Sequence, residues 1–155
     1  MKNNILMSVL LTASLSATLP LSAASHVDVV KMRTENQVNP LGIGTSTPRF
    51  SWQITSDRKG VVQTSYQILV ASSREKLDRN EADLWDSGER NSDEQLWIPY
   101  QGKALLSGAQ AYWKVRITTN KGKSEWTEPQ LFSIGLLGET KWSGTWIGLE
   151  DLQPG

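Results

Sequence analysis

Apolar side chains recur at every second position in short runs between Val27 and Gly135, and each run ends at glycine, proline, asparagine or a cluster of charges. No stretch keeps a helical period. A period of two is that of a strand with one buried face, so several short alternating runs separated by turn residues predict a sandwich or barrel. The first candidate strand is Val27 to Arg33. After a loop from Asn36 to Pro48 with two prolines and two glycines, Arg49 to Thr55 places Phe50, Trp52 and Ile54 on one face and Arg49, Ser51 and Gln53 on the other. Asp57 to Gly60 reads as a turn. In Gln63 to Ala71, Tyr66, Ile68 and Val70 share a face, while Leu69 opposite them predicts cover on both sides.

The second half continues the pattern. Ser72 to Asn80 is charged and suits one or two helical turns, capped by Ser72 or Ser73. Leu84 to Ser87 is a short strand, and Gln95 to Tyr100 another, aligning Leu96, Ile98 and Tyr100. Pro99 has no N–H for a ladder, so this strand belongs at an edge or ends there. Ala111 to Thr119 carries Trp113, Val115 and Ile117 on one face and Lys114 and Arg116 on the other; Asn120 to Lys123 makes a hairpin turn, and Gln130 to Gly135 closes the series with Phe132 and Ile134 inward. About seven strands in roughly 110 residues predict an all-β fold, an antiparallel β-sandwich of the fibronectin type III or immunoglobulin-like kind. Leu106 and Tyr112 have the spacing of a tyrosine corner, but Tyr112 is out of phase with the inward set, so no intact corner is expected.

Composition sharpens this picture in three places. The chain of 155 residues has 38% apolar residues and seven tryptophans, enough to pack a core. Lysine and arginine together number 16, as do aspartate and glutamate, so no broad charged footprint suits nucleic acid or anionic lipid. The absence of cysteine removes disulfides and cysteine-bound zinc. At the start, Lys2, the apolar run Ile5 to Leu15 and the small residues Ser22-Ala23-Ala24 have the layout of a secretory signal peptide. The expected organisation is a signal peptide at 1–24, a sandwich at 25–136, and at 137–155 a linker with the start of a truncated following β-domain, marked by Trp142, Trp146 and Ile147. An exported protein, periplasmic or extracellular, with no membrane association after leader cleavage, follows from that leader.

Candidate chemistry is sparse. Asp83 with Asp86, Glu89 with Asp93 and Glu94, and Glu125 with Glu128 are acidic pairs, and a glycosidase needs two carboxylates flanking a sugar. On sandwich loops such residues are usually solvated, and no dense Asp/Asn loop marks a calcium site. His26, the single histidine, has no partner set for a triad or zinc, and Gly42-Ile43-Gly44 is no phosphate loop. No catalytic residue, metal or cofactor is therefore expected. The tryptophans remain: Trp52 and Trp113 have core parity, whereas Trp85, Trp97 and Trp126 are candidates for contact with a sugar or a neighbouring domain. Trp97 is opposite in phase to Leu96 and Ile98, and Trp126 is expected near the sandwich edge under the stems of Lys114 and Arg116.

Eight strings then occur in order: Met32-Arg33-Thr34-Glu35 with Asn39-Pro40-Leu41-Gly42-Ile43; Pro48-Arg49-Phe50-Ser51-Trp52; Gln63 through Ala71; Asp83-Leu84-Trp85-Asp86-Ser87-Gly88; Tyr112-Trp113-Lys114-Val115-Arg116; Ser124-Glu125-Trp126; Gly135-Leu136-Leu137; and Trp142 through Gly148. In this order they resemble the N-terminal region of bacterial α-L-rhamnosidases, large inverting glycoside hydrolases. The resemblance runs from about Val29 to Gly148. It implies a fibronectin type III-like sandwich ahead of a further β-domain, with the catalytic (α/α)6 barrel hundreds of residues later. The family's acid and base are glutamates of that barrel, and no position here matches their motifs. The partners so implied are the other domains of the parent hydrolase, with rhamnose-containing glycans as a second class.

Overall fold

The computed structural model describes residues 27–138. The expected leader, His26, Trp142 and Trp146 lie outside the described residues. Within them the chain forms β1 (Val27–Thr34), β2 (Arg49–Ser56), β3 (Gln63–Ala71), α1 (Arg74–Asp78), β4 (Trp85–Asp86), β5 (Ile98–Pro99), β6 (Gln110–Thr119), β7 (Gly122–Lys123) and β8 (Gln130–Ser133). One antiparallel sheet has the order β1-β2-β5; the other has β4-β3-β6-β7, with β8 also paired to β6. The fold class is the expected sandwich. The strand additional to the seven expected, β7, is the second arm of the hairpin predicted at Asn120 to Lys123. β5 lies at the edge of its sheet, where Pro99 needs no donor.

The core forms where the inward faces of the two sheets meet. Phe50 lies against Trp113 at 4.4 Å and Phe132 at 5.8 Å, while Trp52 meets Tyr66 edge-on at 5.3 Å. Ile68, Val70, Val115 and Ile117 complete this layer, all fully buried. Each such side chain contributes about 1.5–3 kcal/mol on burial, which makes the alternation of β2, β3 and β6 the main determinant of the fold. Gln63 is the polar exception: its amide accepts from the Trp52 indole at 3.0 Å and donates to the Ser92 and Glu94 carbonyls, tying both sheets to the 92–94 loop.

Two edges are managed in ways the alternation does not announce. β1 slips register between Val30 and Arg33 around Lys31, whose φ is 49°. This bulge turns Lys31 outward and brings Met32 and Thr34 to the core after Val27. The 39–43 loop runs along β8. Leu131 N–H donates to Asn39 Oδ1, Ser133 N–H to the Pro40 carbonyl, Gly42 N–H to Ser133 Oγ and Ile43 N–H to the Ser133 carbonyl. That loop covers a strand edge that would otherwise invite pairing with another chain.

The expected strand at Gln95 to Tyr100 is shorter than its alternation suggested. Trp97 has φ of 59°, which ends the extended run and leaves only Ile98–Pro99 in the ladder. Leu96 therefore points to solvent, whereas Ile98 and Tyr100 are buried. Leu105 is in the core, Leu106 is exposed, and Tyr112 lies on the outer face beside Trp126, in keeping with the expectation of no tyrosine corner. Tyr100 instead donates its hydroxyl to the Lys103 carbonyl at 2.7 Å.

Candidate functional site

The three candidate tryptophans occupy three different settings. Trp126 lies on the outer face of the larger sheet. There Leu69 and Ala71 of β3 meet Leu77 of α1, with Ala82, Tyr112 and Trp126 packed around them. The helix exists because Ser73, extended at the cap position, accepts the Lys76 N–H at 3.4 Å, and because Leu77 finds the apolar ground that Leu69 advertised. Lys114, only 5% exposed, donates to the Leu77 carbonyl and to Asn80 Oδ1 at 2.7 Å, placing a cation at the end of the helix. Burial lowers the Lys114 pKa from its usual value. The ammonium stands 5.1 Å from the Trp126 ring centre, and the Arg116 guanidinium 4.4 Å. Arg116 donates to Gln67 Oε1 and Gln67 donates to Asp86 Oδ1, both at 2.9 Å, so a polar belt crosses the sheet. Trp126 is thus half-buried and held by the two stems foreseen for it.

Trp97 is on the outer side of the smaller sheet. It is 43% exposed, and its backbone N–H donates to Ser51 Oγ at 3.0 Å. Arg49 lies over its ring at 4.3 Å. Glu35 fixes that guanidinium: it accepts Arg49 Nε at 3.1 Å, Nη2 at 2.8 Å and the Arg49 backbone N–H at 2.8 Å. The side-chain hydrogen bonds from Arg49 hold the Glu35 carboxyl below its ordinary range against the opposing effect of burial. A left-handed conformation is unusual for so large a residue and signals a position over-determined by its surroundings. Its outward setting therefore arises from this backbone turn, not from regular alternation.

Trp85 turns toward the core. It stacks near Phe50 at 6.4 Å and meets Tyr100 edge-on at 5.4 Å. Its place on β4, opposite Val70, leaves its ring committed to the interior rim of the sandwich.

Asp83, Glu89 and Glu128, one from each candidate acidic group, bond to different partners. Asp83 accepts from the Ser72 N–H and hydroxyl and from Lys76 at 2.6 Å, Glu89 accepts from Ser65 and Thr118, and Glu128 pairs with Arg74. Among the described residues no three His, Cys, Asp or Glu side chains converge as a metal would need. Shallow depressions lie along the 35–45 loop and between β1 and Thr127–Gln130, and neither brings two carboxylates face to face.

This is an immunoglobulin-like sandwich of two antiparallel sheets. Residues 29–138 match the family described as "Rha78A-like, N-terminal immunoglobulin domain", and the chain belongs to that family. It is 39% identical over 127 residues to an α-L-rhamnosidase of Formosa agariphila, covering 81% of this chain and 13% of the relative. An α-L-rhamnosidase of Streptomyces avermitilis is 37% identical over 79% of this chain and 12% of its own length. The crystal structure of a Streptomyces avermitilis α-L-rhamnosidase complexed with L-rhamnose superposes with a TM-score of 0.73 at 36% identity, over 79% of this chain and 12% of that one. The α-L-rhamnosidase structure from Dictyoglumus thermophilum gives 0.72 at 36% identity, over 77% of this chain and 14% of that one. The chain thus spans about an eighth of the length of the relatives it matches.

Proposed function

We propose that this chain is the non-catalytic N-terminal accessory domain of an exported α-L-rhamnosidase-like glycoside hydrolase and packs against that enzyme's neighbouring domains. The observation that carries the reading is the match of residues 29–138 to an N-terminal domain of rhamnosidases. The parent would cleave terminal α-L-rhamnose by inversion, one carboxyl protonating the leaving oxygen and another activating water, on residues outside this chain. Export rests on the leader-like residues 1–24 and predicts a mature N-terminus at Ser25, checked by mass spectrometry of secreted protein. The decisive assay is aryl α-L-rhamnoside hydrolysis by the purified chain. No turnover above buffer is expected, and reproducible turnover would overturn the reading.

A second reading, a carbohydrate-binding module, draws support from Trp97 alone, whose exposed indole is braced by Arg49 and Glu35. It requires calorimetric binding of rhamnose-rich polysaccharide that disappears in Trp97→Ala while the fold persists. Absence of heat with the parent chain would remove it.

A further inference from the structure

We propose that the depression between β2 and the segments 60–62 and 92–95 is a binding site for a neutral sugar residue, held by Gln53, Asp93 and Gln95. The site goes beyond both readings above, since it has no aromatic platform and needs no contact with Trp97. Its cavity is about 450 Å3, inside the roughly 300–1,000 Å3 range of small-molecule pockets. Two amides and one carboxylate line it, with Ile54, Val61 and Val62 as the apolar share and the buried Gln63 beneath them. Its walls are preformed. Gln63 Nε2 donates to the Ser92 and Glu94 carbonyls at 3.0 and 2.9 Å, and Trp52 N–H donates to the Gln95 carbonyl at 3.0 Å, so the 92–95 loop is pinned on both sides of Asp93. Opposite, Val62 N–H donates to Asn120 Oδ1 at 3.1 Å, Asn120 N–H to the Val62 carbonyl at 3.0 Å and Asn120 Nδ2 to the Gly60 carbonyl at 2.9 Å. Walls fixed in this way need little ordering when a ligand arrives, which removes one of the main costs of a small contact.

The side chains choose the ligand. Gln63 commits its amide to the frame, accepting from the Trp52 indole as well as donating to the loop. Among the described residues, the side chains of Gln53, Asp93 and Gln95 hold no hydrogen bond or ion pair with the rest of the chain. Each amide offers both a donor group and an acceptor, and the carboxylate accepts only. Neighbouring hydroxyls of a sugar ring donate and accept in turn, so they match this set, and the ring's C–H face suits the valines. The lining carries Asp93 and neither lysine nor arginine, which disfavours an anionic sugar.

The test is an NMR titration of the isotope-labelled full chain with L-rhamnose, D-galactose and D-galacturonate, read at backbone and side-chain amides. A neutral sugar should shift the side-chain amides of Gln53 and Gln95 and the backbone amide of Asp93, and galacturonate should bind more weakly. Gln95→Ala and Asp93→Ala, both outside the core, should each weaken binding about tenfold, as loss of a hydrogen bond worth about 1.4 kcal/mol would. The backbone amides of β3 and β6 should keep their positions in both variants, which shows that the fold persists. No shift with either neutral sugar, undiminished binding in both variants, or tighter binding of galacturonate would overturn the site. Shifts confined to the Trp97 indole N–H would also overturn it and leave the Trp97 reading standing. The hydrolysis assay is independent: turnover would sink the accessory-domain reading, whereas unmoved amides without turnover would sink this inference alone.

Discussion

Gly102→Ala should cost the domain roughly 2–3 kcal/mol, because the structure leaves no room for one methyl group. A Cβ at this position would stand 2.4 Å from the Trp85 Cβ, 2.5 Å from the Leu84 carbonyl oxygen and 2.5 Å from the Tyr100 hydroxyl. None of the three can retreat cheaply. Leu84 donates its N–H to the Val70 carbonyl and accepts the Lys103 N–H, so its oxygen is fixed by β3 on one side and by the 100–103 turn on the other. Trp85 is wedged between Phe50 and Tyr100. The Tyr100 hydroxyl would have to leave the Lys103 carbonyl, to which it donates at 2.7 Å. Forcing a methylene into a packed site costs about 1–3 kcal/mol, and one displaced hydrogen bond adds about 1 kcal/mol. Against this, alanine stabilises by about 0.4–1 kcal/mol through the unfolded chain.

The assay is guanidinium unfolding followed by tryptophan fluorescence and near-ultraviolet circular dichroism, with Gly44→Ala as the control. Gly44 has nothing within 4 Å of its would-be Cβ, so its alanine variant should stay within about 0.5 kcal/mol of the parent. A Gly102→Ala loss below about 1 kcal/mol, or one equal to the control, would refute the argument that this turn is closed by contact of Trp85 and Tyr100 on a bare backbone.

Three further outcomes are expected. Lys114→Met keeps the stem but strips the Leu77 carbonyl and Asn80 Oδ1 of their donor, which should cost about 1–3 kcal/mol by guanidinium unfolding; an unchanged midpoint would mean that Leu77 packing alone retains α1. Burial would raise the Asp83 pKa, but hydrogen bonds from Lys76 and Ser72 prevail and bring it from 3.8 to about 2. A depressed carboxyl stabilises above its unfolded pKa and loses that contribution as pH falls through the folded one, so about 1 kcal/mol, discounted for solvent screening, should vanish between roughly pH 4 and 2. Asp83→Asn should flatten that part of the stability profile measured by urea titration. Trp97→Gly removes a left-handed cost of about 1–2 kcal/mol along with an exposed ring, so stability should change by less than about 1 kcal/mol; a larger loss would show that the indole anchors the edge.

The interior was legible because it depends on period. Phe50, Trp52 and Ile54, like Trp113, Val115 and Ile117, advertise one buried face of a strand, and Leu69 on the wrong side of β3 betrayed the cover that α1 supplies. Trp126 was legible too, since Lys114 and Arg116 are two apart on one face of β6 and their stems had to lie over something apolar. What escaped is carried by backbone. The 39–43 loop serves as an edge through carbonyls, amides and two short side chains, which leave no alternation to read. The Lys31 bulge and the left-handed Trp97 are set by partners distant in sequence, Ser51 among them, and local propensity disfavours both.

These coverings also narrow where a partner can bind. The larger sheet's outer face is occupied by α1, Tyr112 and the Lys114–Trp126–Arg116 layer, all from this chain. The β8 edge is paired to the 39–43 loop, and Pro99 blunts the β5 edge. Strand addition at either place would first have to displace native hydrogen bonds or meet a missing donor. The large apolar side chains left exposed among the described residues are scattered: Val38, Leu41, Val62, Leu96, Trp97, Leu106 and Leu136. A ligand at Trp97 would gain one ring face already shared with Arg49.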